Sequence, residues 1–169
     1  IKRLEELSGK SYKEDVWKKP MRIIADHLRG STHMIIDGVL PGNTDQGYIL
    51  RRLIRRVIPH LKERQGLVEM PDGAPITRLA NLRILVEQVI NQYGKEEIYS
   101  YLLEKRDEIL QVVEEEQERF LKLYRKGSDI FYKLVSGAKD DKTYKIKGRD
   151  IFNLVSSHGF ALEWIKDVA

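Results

Sequence analysis

Arg51, Arg52, Arg55 and Arg56 stand in two pairs, 51 with 55 and 52 with 56, each pair one helical turn apart. A guanidinium offers a planar fork of N–H donors that matches a phosphate or a carboxylate through paired hydrogen bonds. Grouped on one short stretch with almost no local carboxylate, the four form a compact positive surface suited to phosphates. Like charges one turn apart cost helix stability, so the cluster needs a reason. The competing reason is internal pairing with acidic residues further along the chain. Just upstream, Asn43 lies in a loop near a helix N-terminus, where its amide could reach a base edge or simply cap the helix.

Other chemistries find little support. There is no cysteine, which excludes disulfides, thiol nucleophiles and Cys-ligated zinc and fits a reducing, cytoplasmic setting. No glycine-rich phosphate loop, Gly-x-Ser-x-Gly or His-Glu-x-x-His motif occurs. His27 and His33 are six residues apart and do not share a helical face, while His60 and His158 are remote, so structural or surface roles are expected. No catalytic residue and no metal ligand is therefore expected. No window approaches the roughly 20 apolar residues that span a bilayer. The charged start, Ile1-Lys2-Arg3-Leu4-Glu5-Glu6, reads as the beginning of a fragment cut from something longer.

The elements that would position these groups are helical. The chain has 169 residues, 41% of them apolar and 33% charged, with a net charge of +4. That small net charge conceals a gradient: residues 21–66 carry eight basic groups against four acidic, and residues 67–126 carry nine against twelve. Apolar residues at Ile23, Ile24, Leu28, Met34 and Ile35 predict a helix that opens after Pro20 and ends at Asp37-Gly38. The segment from Gly38 to Gly47 is rich in Gly, Pro, Asn and Asp and reads as a loop. From Tyr48, the apolar stripe Leu50, Leu53, Ile54, Val57, Ile58 and Leu61 predicts an amphipathic helix carrying the arginines on its other faces.

Beyond a linker at Gln65–Pro75, Leu79 to Ile90 repeats the helical pattern up to Gly94. A long helix is predicted from about Glu96 to Val135, interrupted only at Gly127, with an apolar seam at Leu102, Ile109, Val113, Phe120, Tyr124, Phe131 and Leu134. Glu114-Glu115-Glu116 reads as a solvated face. Gly137–Asp141 reads as a loop, Thr143–Ile146 as a short strand near Tyr144, Gly148–Val155 as a helix that breaks at Gly159, and Ala161–Val168 as a last helix. The fold class expected is an all-α, multi-helix bundle forming one domain over 1–169, with a basic half at 1–66 and a long-helix half at 76–169.

Taken in order, three blocks resemble a known family. Arg22-Ile23-Ile24-Ala25-Asp26-His27-Leu28-Arg29, Asp37-Gly38-Val39-Leu40-Pro41-Gly42-Asn43 and Gly47-Tyr48-Ile49-Leu50-Arg51-Arg52-Leu53-Ile54-Arg55-Arg56 resemble the helical tRNA-recognition region of alanyl-tRNA synthetase. Phe152-Asn153-Leu154 followed by His158-Gly159-Phe160 is similar to that family's Phe-x-Leu-Tyr-Asp-Thr-Tyr-Gly-Phe-Pro stretch. The resemblance implies a segment between the class II aminoacylation core and the editing domain, which would be its partners within the parent synthetase. It would bind the acceptor stem of tRNA(Ala) and recognise its G·U wobble pair. ATP and Mg would belong to the absent core, so the segment by itself would hold no cofactor and not aminoacylate.

The resemblance also implies site residues. The family's wobble-reading Asn falls on Asn43 and its wobble-reading Asp falls on Ser156, a replacement that exchanges a charged acceptor for a shorter hydroxyl that both donates and accepts. Val155, Ser157 and Ala161 stand where the family has Tyr, Thr and Pro. The expected RNA-contacting set is Asn43, Arg51, Arg52, Arg55, Arg56 and Ser156. The alternative is a helical protein-interaction module with an exposed Leu102–Leu134 seam and internally paired arginines.

Overall fold

A computed structural model describes residues 1–61, 82–140, 145–158, 160 and 165. The described residues are all-α, with no strand among them. The linker at Gln65–Pro75, Tyr144 of the expected strand and nearly all of the expected last helix lie outside them; Ile165 is helical. The chain divides into two compact units, Ile1–Glu118 and Arg119–Ala169, and the division falls inside the long helix.

The first unit opens with α1 (Lys2–Ser8), ended by Gly9 at φ +65°. Next, α2 (Asp15–Ile36) begins six residues before the expected start and carries Pro20 in its second turn. The proline forfeits one hydrogen bond to the Val16 carbonyl, but Val16 is 65% exposed, so water can satisfy that oxygen. Further along, α2 buries Met21, Ile24, Leu28 and Ile35. It ends as the sequence predicts. Gly38 adopts φ +88°, its N–H bonds the Ile35 carbonyl, and the Val39 N–H bonds the Met34 carbonyl, the paired closure that a glycine past the helix end permits.

The next helix, α3 (Asp45–His60), packs along α2 and buries Leu50, Ile54, Val57 and Ile58, with Leu61 just beyond; Leu53 is half-buried beside Gly30. Each fully buried aliphatic side chain contributes roughly 1.5–3 kcal/mol, so this stripe fixes the rotation of α3 and thereby which arginines face outward. Packed on α2 and α1, α4 (Leu82–Tyr93) buries Leu82, Leu85, Val86 and Ile90.

The chain does not enter the long helix at Glu96. A 3₁₀ turn (Glu97–Tyr99) and the short α5 (Tyr101–Glu104) intervene before α6 (Arg106–Asp140). Leu103 Cγ lies 2.7 Å from where a Cβ on Gly94 would be, so the glycine permits the close approach of Leu103 at this corner, and the adjacent Leu102 is buried. Edge-to-face contacts among His33, Tyr93 and Tyr99, with centroids 5.4–6.0 Å apart, fasten this corner to α2.

In the second unit, α6 runs unbroken through Gly127 and on through Gly137 to Asp140, where an interruption and a loop were expected. Gly127 is buried because the Phe160 ring occupies the space a side chain would need. α7 (Gly148–His158) contributes the buried Leu154, whose carbonyl accepts the Phe160 N–H at 3.2 Å. Ile109, Val113, Phe120, Tyr124 and Phe131 of α6 are buried, as is Leu102 before it, so the seam is not an exposed docking face from Leu102 to Phe131, while Leu134 is half-buried.

Candidate nucleic-acid interface

The loop between α2 and α3 is pressed against the first turn of α3. The Gly42 N–H bonds the Gly47 carbonyl at 2.9 Å, and a Cβ on Gly47 would meet the Leu40 oxygen at 2.7 Å and the Gly42 nitrogen at 3.0 Å. Both partners are backbone atoms that cannot swing aside, so only glycine fits at 47. Between these two glycines, Asp45 takes φ +50°, the only non-glycine residue with positive φ among the described residues. Such backbone conformations cost of order 1 kcal/mol and gather where structure holds a loop for a purpose. Thr44, in extended conformation, is the N-cap of α3, and no side chain caps the helix by hydrogen bond.

Asn43 therefore does not cap. Its side-chain oxygen instead accepts a hydrogen bond from Arg51 Nη1, and the Arg51 guanidinium sits 5.9 Å from the centre of the Tyr48 ring. Asn43 is exposed, and Tyr48 is 41% exposed. The loop, the first turn of α3 and one arginine thus hold a single amide at the surface. Tyr48 was not singled out in the sequence, although its position three residues before Arg51 places both on one helical face.

The remaining arginines divide. Arg55 Nε donates to Glu116 Oε1 at 2.6 Å, and the Glu116 side chain is only 1% exposed. Arg52 and Arg56 are exposed and form no ion pair among the described residues. The acidic run on α6 is only in part the solvated face expected for it: Glu115 is exposed, but Glu116 is buried against Arg55, and the partly exposed Glu114 accepts two hydrogen bonds from Arg83 at 3.0 and 3.1 Å. Glu114 first, then Glu87 and Asp107, raise the Arg83 pKa above its usual value. A signal for Glu116 was present, since it lies three residues after Val113 and four before Phe120, on the apolar seam itself.

Ser156 lies on the exposed side of α7, in the second unit, and its hydroxyl donates to the Phe152 carbonyl at 2.8 Å. That bond uses the proton and leaves the oxygen's lone pairs as acceptors. Among the histidines, the His27 ring Nδ1 lies 2.6 Å from the Ile23 carbonyl, which can only accept, so Nδ1 carries the proton. His33 belongs to the aromatic corner. No group of acidic or histidine side chains suited to a metal occurs among the described residues, and no described helix is long and apolar enough to cross a membrane.

The chain belongs to the class II (A) tRNA synthetases, whose family model matches residues 1–169. Within that class it is similar to alanine–tRNA ligases, at 35% identity to that of Lactococcus lactis subsp. cremoris and 37% to that of Streptococcus pyogenes serotype M4, in each case over 100% of the chain. The resemblance to alanyl-tRNA synthetase drawn from the motifs is thereby borne out. The chain spans 18% of the length of those relatives.

Proposed function

We propose that this chain is the part of an alanine–tRNA ligase that grips the acceptor stem of tRNA(Ala) and reads its G·U wobble pair, so that the whole enzyme attaches alanine in an ATP-dependent reaction. ATP and Mg²⁺ serve the aminoacylation core, and this segment supplies tRNA selection. The observation that carries the reading is the exposed Asn43 amide, held by Arg51 at the start of a helix whose Arg52 and Arg56 face outward. A-form RNA exposes its base edges in a wide, shallow minor groove, which a side chain on a loop can enter while cations hold the flanking phosphates. Ser156, with acceptor capacity remaining, is a second candidate contact.

An acceptor-stem minihelix carrying G·U, compared at fixed salt with the same helix carrying G·C, tests this reading. Asn43→Ala should cost about 1–3 kcal/mol of binding to the G·U stem and little to the G·C stem. Equal losses on both would remove Asn43 from the readout. For the phosphate role, neutralising Arg52 and Arg56 together should lower the slope of log K against log salt by about 2, one unit for each phosphate that is no longer neutralised. An unchanged slope would assign the phosphate contacts elsewhere.

A further inference from the structure

We propose that Arg51 is a positioning residue for Asn43 rather than a phosphate contact: its guanidinium turns the amide so that the oxygen faces the protein and the NH₂ group faces outward. The inference rests on the base-reading role of Asn43 proposed above. It separates Arg51 from Arg52 and Arg56, which share its helix and its charge.

The chemistry fixes the direction. A guanidinium has five N–H donors and no acceptor, so the amide oxygen of Asn43 must be the atom that meets Arg51 Nη1. The NH₂ of the exposed Asn43 is the group that Arg51 does not engage, which leaves its protons to donate elsewhere. A charged donor makes this bond stronger than one between neutral groups. The guanidinium is itself located by the Tyr48 ring, one turn back on α3, at 5.9 Å. The loop backbone is located by the Gly42–Gly47 hydrogen bond and the missing side chain at 47. Every group that orients the amide therefore belongs to α3 or is bonded to it. Asn43 meets RNA in a fixed orientation and principally as a hydrogen-bond donor, its rotamer entropy already spent before binding.

A phosphate contact and a positioning contact differ in what their loss does. Removing a phosphate contact weakens all stems equally and flattens the salt dependence. Removing a positioning contact erases the discrimination between stems and leaves the salt dependence in place. In the full chain, Arg51→Met should reduce the preference for the G·U over the G·C minihelix by about tenfold, matching Asn43→Ala, with an unchanged salt slope. Arg51→Lys, which retains a cationic donor, should restore part of the preference, and Asn43→Ala with Arg51→Met should discriminate no worse than either alone.

The free protein gives an independent readout. With asparagine labelled with ¹⁵N, the two Asn43 side-chain protons should be well separated in the wild type and move toward the values of a mobile amide in Arg51→Met. Preserved discrimination with a slope lowered by about 1 would make Arg51 a phosphate contact and overturn the proposal. Unchanged Asn43 amide signals in Arg51→Met would overturn it as well. A wild-type chain that does not distinguish the two stems would refute the base-reading role of Asn43, and the amide signals alone would then decide whether Arg51 positions it.

Discussion

Arg55→Met is expected to destabilise the fold by about 3 kcal/mol, the range found when one partner is removed from a buried ion pair. Glu116 is 1% exposed and Arg55 lies 2.6 Å away with its side chain 19% exposed, so the carboxylate depends on that guanidinium for much of what it lost on leaving water. Urea unfolding should show a lower midpoint with an unchanged m-value, and a thermal midpoint lower by roughly 6–12 °C for a chain of this size. Replacing both members, Arg55→Met with Glu116→Leu, should recover a large part of the loss, because no charge is then buried. A loss below about 1 kcal/mol for Arg55→Met would mean that solvent screens the pair as it does at a surface. The salt dependence of RNA binding should not change in Arg55→Met, since this arginine is committed to α6.

Gly127→Ala is expected to cost about 3 kcal/mol, although alanine is the better helix former by about 1 kcal/mol. The added methyl would lie 2.1 Å from Phe160 Cδ2, 2.5 Å from Cγ and 2.9 Å from Cβ, so rotating the ring does not relieve the clash. Phe160 is fully buried, with its ring 5.3 Å from that of Tyr124, and displacing it forfeits most of what a core phenylalanine contributes. The same geometry predicts a change of sign. In a chain already carrying Phe160→Gly, which removes all three of these atoms, adding Gly127→Ala should stabilise, because the methyl then fills part of a cavity and the helix gains a better residue. Denaturant midpoints of the two single variants and the double variant read this directly. A destabilising Gly127→Ala in the Phe160→Gly background would exclude the packing explanation.

Periodicity and turn chemistry carried much of the fold. The α3 stripe from Leu50 to Leu61 and the glycine-terminated end of α2 at Gly38 are local features, decided by residues within a few positions of one another, and both occur as read. Pro20 misled, because a proline near the start of a helix costs one hydrogen bond whose acceptor can be hydrated, and the helix extends through it to Asp15. Gly127 and Gly137 misled in the same direction. Both suggest breaks, yet the first is a contact site for Phe160 and the second stays within α6. Tyr48 and Glu116 stood at informative spacings, and their partners alone were missing.

By itself, the sequence determined the all-α fold class seen in the described residues, the buried stripe of α3, where the Asn43 loop lies and which family the ordered motifs resemble. All of these rest on spacing along one segment. Tertiary structure decided which arginines are engaged within the fold and which partner the Asn43 amide takes. Arg55 and Glu116 are 61 residues apart, and nothing in the neighbourhood of either distinguishes Arg55 from Arg52 or Arg56. The distinction arises when the buried stripe sets the rotation of α3 and turns one arginine toward α6. Asn43, a plausible cap by composition, became a surface-held amide because the Gly42–Gly47 approach brings the loop to Arg51.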